Sequence, residues 1–266
     1  MNTPDYDWDA AAYADNADNQ GRWAAERMQQ ISLDGDERIL DIGCGDGRAA
    51  AAFAQRVPDG HVLGIDSAPG MVTLARERYP ENTHPNLGFA HGDARALPFE
   101  NAFGLVFSNA ALHWVLDHRP VLRGIARALR RGGHADLEMG GQGNAAEVRA
   151  VTEELMAVAH WREYFQDFSF PYGFHGVDDY RAWLEAAGME PVRVELVARD
   201  MHYQDIDAMK AWTRTTWLPF TQQVPGAQRE QFIDELAAGY LERCPADDDG
   251  VVKVAMVRLE VEAVRR

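Results

Sequence analysis

The feature of this chain that most constrains its fold is a regular alternation of short apolar runs with helical patterns between Glu37 and Met139. The helical patterns carry apolar residues at the spacing of one helix face, as at Val121, Leu122 and Ile125. The runs that predict strands are Arg38–Ile42, His61–Ile65, Leu87–His91, Leu105–Ser108 and His134–Glu138. Strands that alternate with helices form βαβ units, so we expect a mainly parallel sheet with helices on both faces.

The pattern changes after Met139, and this change indicates insertions into the α/β core. A helical pattern at Ala145–Glu163 precedes a loop rich in phenylalanine and tyrosine. Further helical patterns cover Asp205–Trp217 and Pro225–Leu241, and alternation predicts a long final strand at Val251–Val264. We therefore divide the chain into an N-terminal lid helix (1–32), an α/β core (33–139), a cap insertion (140–176), a core helix and strand (177–199), cap helices (200–245) and a final core strand (246–266).

The chain is strongly acidic, with 26 Lys+Arg against 42 Asp+Glu and a formal net charge of -16. Phosphate binding requires clustered basic charge, so we expect no nucleic-acid partner. Lysine occurs only at Lys210 and Lys253. Such a surface suits a salt-rich cytosol, where ions screen the repulsion between like charges. A GC-rich genome that favours arginine codons would leave the same bias, and the sequence alone leaves both interpretations open.

Cysteine usage and hydropathy bear on the compartment and on metal binding. Cys44 and Cys244 lie far apart, without a C-x-x-C pair or a neighbouring histidine cluster, so we expect neither a disulfide framework nor a metal site. The first 20 residues carry five aspartates and no basic residue, the reverse of a signal peptide. No run approaches the ~20 apolar residues of a membrane-spanning helix. We expect a cytoplasmic protein that is not inserted into a membrane.

A glycine-rich turn follows the first predicted strand, in the sequence Asp41-Ile42-Gly43-Cys44-Gly45-Asp46-Gly47. Glycines remove Cβ atoms so that a ligand can lie against the backbone, and the N-terminus of the next helix offers unpaired N–H groups. A dinucleotide-binding turn has the spacing G-x-G-x-x-G, whereas this turn has G-x-G-x-G preceded by an acid. The spacing argues against a nicotinamide dehydrogenase, although the turn alone also fits an ordinary strand-to-helix connection.

Three further motifs follow the second, third and fourth predicted strands. Asp66 ends Gly64-Ile65-Asp66, where a carboxylate can accept the ribose hydroxyls of a nucleoside, as in dinucleotide-binding folds. The other two motifs are His91-Gly92-Asp93-Ala94 and the segment from Phe107 to Trp114. Ligands of open parallel sheets bind outside the carboxyl ends of the strands, so all four motifs are expected at one edge of the sheet.

Taken together, these motifs resemble those of the class I S-adenosylmethionine-dependent methyltransferases. Residues 8–13, 67–71 and 109–114 look like the trans-aconitate methyltransferase group, and other small-molecule carboxyl O-methyltransferases share much of this pattern. The similarity extends weakly to Trp212 and Trp217, but Leu218 stands where that group has an arginine. The resemblance implies a Rossmann-like seven-stranded mixed sheet whose last strand inserts antiparallel, with helices on both faces and a helical and aromatic cap. It also implies S-adenosyl-L-methionine as cofactor and S-adenosyl-L-homocysteine as product.

The resemblance further assigns cofactor-binding roles to individual residues. Asp93 would accept the adenine amino group beside the N–H of Ala94, Met71 would pack on the ribose or adenine, and Tyr13 and Gln20 would close over the methionine end. The expected cofactor-binding residues are Tyr13, Gln20, Asp41, Gly43, Cys44, Gly45, Asp66, Ser67, Met71, Asp93, Ala94, Asn109, Ala110 and Trp114.

The acceptor is expected to be a small molecule that is methylated at a carboxylate or another oxygen. One alternative is a methyltransferase that acts on a carbon or nitrogen atom. The other is a protein that binds the cofactor without catalysing methyl transfer. His113 is the candidate general base. A role as a hydrogen-bonded residue in the wall of the site is equally compatible with the sequence. The candidate substrate residues are Tyr172, Arg199, Tyr203, Arg214 and Trp217. The aromatic residues among them would also fit a cap core, and the arginines would also fit surface ion pairs.

The salt-adapted interpretation of the charge can be tested by thermal unfolding. Added ions screen the repulsion among the excess acidic groups, so the melting temperature is expected to rise between dilute buffer and about 1 M KCl. The measurement is circular dichroism at several salt concentrations, with potassium and sodium chloride compared. A melting temperature that stays constant or falls would favour codon bias as the origin of the acidity.

Overall fold

The computed structural model describes residues 18–266, with side chains from Trp23 onward. The strands are β1 (Arg38–Ile42), β2 (His61–Asp66), β3 (Leu87–His91), β4 (Phe103–Asn109), β5 (Leu129–Gly140), β6 (Met189–Ala198), β7 (Met201–Tyr203), β8 (Val252–Val254) and β9 (Val257–Arg265). The α-helices are α1 (Asp18–Gln30), α2 (Arg48–Arg56), α3 (Pro69–Arg78), α4 (Arg119–Ala128), α5 (Ala146–Ala157), α6 (Val177–Ala186), α7 (Ile206–Thr216), α8 (Leu218–Thr221) and α9 (Arg229–Arg243).

A seven-stranded sheet with the order β3-β2-β1-β4-β5-β9-β6 organises the larger part of the fold. The pairs β1–β2, β2–β3, β1–β4 and β4–β5 are parallel, whereas β9 is antiparallel to β5. The register of that last pair runs from His134 opposite Val264 to Gly140 opposite Arg258. The predicted Rossmann-like mixed sheet, including its antiparallel final strand, is confirmed.

Alternating side chains of β1 supply the cores on the two faces of this sheet. Leu40 and Ile42 belong to one buried cluster, which contains apolar residues of α4 and α6. Ile39 belongs to the other, which contains Phe53 of α2 and Phe107 of β4, with ring centroids 5.0 Å apart. Successive strand residues point to opposite faces, so one central strand is buried on both sides.

The described chain divides into two units. One comprises residues 18–142, Tyr172–Val197 and Arg258–Arg266, and it contains the large sheet. The other, which we call the cap, comprises Gly143–Pro171 and Ala198–Val257. None of the helices in residues 18–266 has the length and apolar character needed to cross a membrane.

The cap encloses its own aromatic core. The ring of Phe232 lies 5.3 Å from that of Trp161 and stacks on Phe165 at 5.6 Å. Trp217 stacks on Phe220 at 4.9 Å. The buried indole N–H of Trp161 donates to Glu235 at 2.7 Å, so the polar end of this ring also has a partner. Many of the aromatic residues that the sequence places in insertions therefore stabilise the cap itself.

The prediction of one continuous strand at Val251–Val264 is wrong. Val252–Val254 forms β8, which pairs antiparallel with β7 in a separate two-stranded sheet. Val257–Arg265 forms β9 in the large sheet. Alternation of apolar and polar residues indicates which face of a strand is buried, but it does not indicate which strand pairs with it. The pattern can therefore continue across a boundary between two sheets.

A buried ionic network attaches α1 to the large sheet. Arg27 of α1 is 3% exposed, and its guanidinium donates to both carboxylate oxygens of Asp136, at 2.8 and 3.0 Å. It also contacts Glu260 at 3.4 Å and Glu262 at 2.8 Å. Burial raises the pKa of Asp136 to about 6, and the bond from Arg27 acts in the opposite direction. These acids lie on β5 and β9, so one guanidinium joins the helix to two strands.

Replacing Arg27 with methionine is expected to lower the free energy of unfolding by about 3–5 kcal/mol, because Asp136 would remain buried without its cation. Urea unfolding followed by circular dichroism measures the change. Arg214→Gln is the matched control, since its pair with Glu230 is exposed and is worth at most about 1 kcal/mol. Equal losses in the two variants would contradict the assigned role of Arg27.

Candidate active site

The turn after β1 has a backbone that requires glycine. Gly43, Gly45 and Gly47 have φ values of 73°, 53° and 86°, in the left-handed region. A Cβ on Gly43 would lie 2.1 Å from the Cβ of Ala111, and one on Gly47 would lie 2.7 Å from a ring atom of Phe89. Among residues 18–266, apart from Gly45 and its two chain neighbours, no atom lies within 4 Å of the position that a Cβ on Gly45 would take. The turn is therefore packed tightly on its protein side and presents bare backbone at Gly45.

Asp66 at the end of β2 is held by the backbone of two turns. Its carboxylate accepts the N–H of Gly45 at 2.9 Å and the N–H of Ala68 at 2.8 Å. Burial raises the pKa of Asp66, and these two N–H groups oppose that shift. Each carboxylate oxygen can accept more than one hydrogen bond, so Asp66 can still accept hydrogen bonds from ribose hydroxyls. The two backbone N–H groups already fix the position of its side chain.

Asp41 provides a second acidic group beneath the turn. It is 1% exposed, and its Oδ2 has no hydrogen-bond partner among residues 18–266. Burial, followed by the negative charge of Asp66, raises the pKa of Asp41 to about 7. A buried carboxylate without a counter-charge is unfavourable, and a positively charged ligand would relieve it. This fits S-adenosylmethionine, which carries a positive sulfur.

Asp93 takes a different local role from the other two acids. Its carboxylate accepts the backbone N–H of Arg95 at 2.8 Å and forms an ion pair with the guanidinium of the same residue at 2.6 Å. The bond from Arg95 lowers the pKa of Asp93. This caps the short 3₁₀ turn Ala94–Ala96. An adenine amino group at this position would share the carboxylate of Asp93 with Arg95. The roles of Asp93 and Ala94 in binding the adenine ring stay predictions.

The end of β4 completes this edge of the sheet. The hydroxyl of Ser108 donates to the carbonyl of Ile42 at 2.8 Å, which joins β4 to the residue before the glycine turn. Ala110 has a φ of 53°, which is unfavourable for a residue with a Cβ, and its N–H donates to the carbonyl of Glu138 at 2.8 Å. Strained backbone of this kind is concentrated at functional sites, and here it adjoins the glycine turn.

His113 lies in an aromatic cluster that follows this segment. Its ring centroid is 5.7 Å from that of Trp114, 6.0 Å from Tyr172 and 6.1 Å from Phe174. Tyr172 and Phe174 stack on each other at 5.2 Å. The His113 Nδ1 is buried and has no hydrogen-bond partner within the described residues. Burial, and then the positive charge of Arg258, lowers the pKa of His113 to about 3.

The remaining predicted cofactor residues are distributed around these groups. Cys44 is buried in the turn, and its backbone N–H donates to the carbonyl of Ile65 at 3.0 Å. Ser67 is exposed after Asp66, and Met71 is buried in α3. Tyr13 lies outside the described residues, and Gln20 lies in α1 at a position whose side chain is not described. Their roles stay predictions.

Four of the five predicted substrate residues belong to the cap. Arg214 forms an exposed ion pair with Glu230 at 2.6 Å, and the Tyr203 hydroxyl donates to the sulfur of Met201 at 3.3 Å. The indole N–H of Trp217 donates to Thr152 at 3.1 Å, and the backbone N–H of Arg199 donates to the carbonyl of Met256 at 2.9 Å. Tyr172 alone joins the His113 cluster. Their contacts to an acceptor stay predictions.

The sequence interpretation missed Glu138 and Arg258. Glu138 is 1% exposed at the end of β5, and it accepts a bond at 3.0 Å from Arg258, which is 5% exposed at the start of β9. Among residues 18–266, no group of three or more His, Cys, Asp and Glu side chains is arranged to hold a metal ion. The signal for this pair in the sequence was weak, because Glu138 and Arg258 are two of several charged residues in β5 and β9.

The chain is similar in sequence to known methyltransferases. Residues 39–133 match the methyltransferase domain family. A trans-aconitate 2-methyltransferase of Methylobacterium nodulans is 32% identical over 273 residues, covering 97% of this chain and 98% of that protein. The enzyme of the same name from Escherichia coli O1:K1 is 29% identical over 263 residues, with the same coverage.

Solved structures show the same fold at lower identity. The YcgJ protein of Bacillus subtilis has a TM-score of 0.64 and 18% identity, covering 92% of this chain and 98% of that one. Phosphoethanolamine N-methyltransferase 2 of Haemonchus contortus, in complex with S-adenosyl-L-methionine, has a TM-score of 0.58 and 19% identity. The match covers 96% of this chain and 56% of that one.

Replacing Asp66 with alanine is expected to weaken S-adenosylmethionine binding by about 1–3 kcal/mol, because the ribose hydroxyls would lose a charged acceptor. Isothermal titration calorimetry measures the dissociation constant. Asp66→Asn is the matched variant, since it keeps the shape and one acceptor oxygen and should lose less. Unchanged affinity in the alanine variant would show that the ribose binds elsewhere.

Proposed function

The chain belongs to the class I S-adenosylmethionine-dependent methyltransferases, in the trans-aconitate methyltransferase group, and on this premise we propose that it methylates a carboxylate oxygen of a small organic acid. The relatives that match over nearly their whole length are named for methylation of trans-aconitate, which supports a carboxylate acceptor. The net charge of -16 favours a small acceptor over a nucleic acid. Cys44 and Cys244 are both free, which fits the reducing cytoplasm that we propose as its compartment.

The observation that carries this proposal is that the Nδ1 of His113 is buried among aromatic rings without a hydrogen-bond partner in the described residues. A general base works best when its pKa lies near the operating pH. The pKa of His113 is lowered to about 3, so its imidazole is neutral at pH 7 but a weak proton acceptor. A phenol or protonated amine needs to lose a proton before attack, whereas a carboxylate is already ionised at this pH. The site therefore suits an acceptor that arrives as an anion.

When bound, the cofactor supplies a methyl group on a positively charged sulfur. The glycine turn and Asp66 would fix the nucleoside, and the buried Asp41 would favour the positive charge. Transfer of this methyl group to a carboxylate oxygen would remove the positive charge of the sulfur and the negative charge of the carboxylate together. The rings of His113, Trp114, Tyr172 and Phe174 would exclude water from the reacting pair. Alignment of two reactants in this way can contribute about 7–11 kcal/mol.

The proposal is tested by incubating the protein with methyl-labelled S-adenosylmethionine and matched acceptors. The acceptors are trans-aconitate, fumarate and crotonate as carboxylates, with a phenol and a primary amine for comparison. Label is expected in carboxylate methyl esters, which release methanol on alkaline hydrolysis. Label that enters only the phenol or the amine would overturn the proposal.

Replacing His113 with asparagine or glutamine separates a wall residue from a base. Because a carboxylate needs no deprotonation, kcat is expected to fall by less than about tenfold. Loss of an essential general base would instead lower kcat by about 10²–10⁴. Steady-state kinetics with the best carboxylate measures the change, and calorimetric cofactor binding confirms that the variants retain their fold. A loss in the larger range would contradict the proposed acceptor chemistry.

A further inference from the structure

Arg258 is a buried cation that lies beside the carboxyl end of β5. It lies opposite Gly140, the last residue of β5, although it is near the beginning of β9. Because the two strands are antiparallel, the start of β9 meets the carboxyl end of β5. That edge of the sheet is the one at which open α/β folds bind their ligands, and it also carries the glycine turn.

The guanidinium of Arg258 is only partly satisfied. Its Nε donates to Glu138 Oε1 at 3.0 Å, and its Cζ lies 5.5 Å from the ring centroid of Trp23. The buried Nη2 has no hydrogen-bond partner in the described part of the chain. A buried donor without a partner is unfavourable, and more so when it belongs to a charged group.

Arg27 is a buried arginine with a structural role, and its contacts can be compared with those of Arg258. Its guanidinium contacts three carboxylates, those of Asp136, Glu260 and Glu262, and it is as buried as Arg258. Within the described residues, Arg258 pairs with one carboxylate, that of Glu138, which is bonded to its Nε. The N–H groups at the other end of the guanidinium match the geometry of one further carboxylate.

The Arg258–Glu138 pair is connected to the segment that carries His113. The positive charge of Arg258 is one of the causes that lower the pKa of His113, so the two groups are electrostatically close. The carbonyl of Glu138, the partner of Arg258, accepts the N–H of Ala110 at 2.8 Å. Ala110 belongs to the same post-β4 segment as His113. Arg258, Glu138 and His113 therefore belong to one neighbourhood within the unit that contains the large sheet.

We propose that Arg258 binds a carboxylate of the methyl acceptor other than the one that is methylated, and so selects acids with at least two carboxylates. This inference rests on the proposed function. Methylation removes the charge of the reacting carboxylate, and a guanidinium bonded to that oxygen would withdraw the electron pair needed for attack. A second carboxylate keeps its charge throughout the reaction. Glu138 is a positioning residue, because it fixes the Nε edge of the guanidinium.

The test compares fumarate with crotonate, which replaces one carboxylate of the same four-carbon skeleton with a methyl group. Wild-type kcat/KM is expected to be about 100-fold higher for fumarate. In Arg258→Gln, kcat/KM for fumarate should fall by about 100-fold, mainly through KM, while that for crotonate changes by less than about threefold. Arg258→Lys keeps the charge without the forked geometry and should lie between the two. An equal loss with both acids would identify Arg258 as merely structural and overturn the inference.

Arg193→Gln is the matched control, because it removes a guanidinium that contacts Glu260 from the neighbouring strand β6. It should leave the preference for fumarate unchanged. Melting temperature and S-adenosylmethionine affinity are measured for each variant. Should Arg258→Gln fail to fold, Arg258→Lys and Glu138→Gln replace it, and each should reduce the preference for fumarate. A preference that persists in both would overturn the inference.

Binding without turnover separates this inference from the proposed function. Calorimetric titration of fumarate into the protein saturated with S-adenosylhomocysteine should give heat with wild type and none with Arg258→Gln. If that difference is found but no carboxylate is methylated, the proposed function fails and the carboxylate site stands. If carboxylates are methylated but fumarate binds both proteins equally, the proposed function stands and the role of Arg258 fails.

Discussion

Parallel pairing of β1 with both β2 and β4 brings the ends of three strands side by side. Asp41 lies opposite Gly64 on one side and Phe107 on the other, so the segments that follow these residues leave the sheet at one edge. The contact between Gly43 and Ala111 is a direct result, and a single methyl group would prevent it. The candidate site is therefore a consequence of strand register, and each of its loops depends on the others.

Charge is used in opposite ways at the two sides of this edge. Beneath the glycine turn, burial and then the negative charge of Asp66 raise the pKa of Asp41 to about 7. This arrangement favours a cation. Beyond β4, the buried Arg258 pairs with the carboxylate of Glu138 and keeps a donor without a partner among residues 18–266, and this arrangement favours an anion. In the proposed reaction, Asp41 would favour the positive sulfur and Arg258 the carboxylate that is not methylated, and the aromatic cluster around His113 would keep water from the reacting oxygen.

The strands and the glycine turn could be predicted because they depend on local patterns. The predicted bounds Arg38–Ile42 and Leu87–His91 are those of β1 and β3, and Asp66 ends β2. Contacts between distant residues leave no such pattern. The separation of β8 from β9, and the pair of Glu138 with Arg258 across 120 positions, follow from which strands become neighbours. Arg214 looked equally suited to an anion in the sequence, and only the structure shows its partner Glu230.

The network around Arg27 also has a consequence for the order of folding. Its partners lie 109 positions away at Asp136, and 233 and 235 positions away at Glu260 and Glu262. During synthesis, α1 is made before β5 and β9, so Asp136, Glu260 and Glu262 emerge from the ribosome only after it. Such distant contacts close large loops and form late. The N-terminal helix would thus dock after the central strands have assembled, and loss of the last ten residues would leave it without two of its three partners.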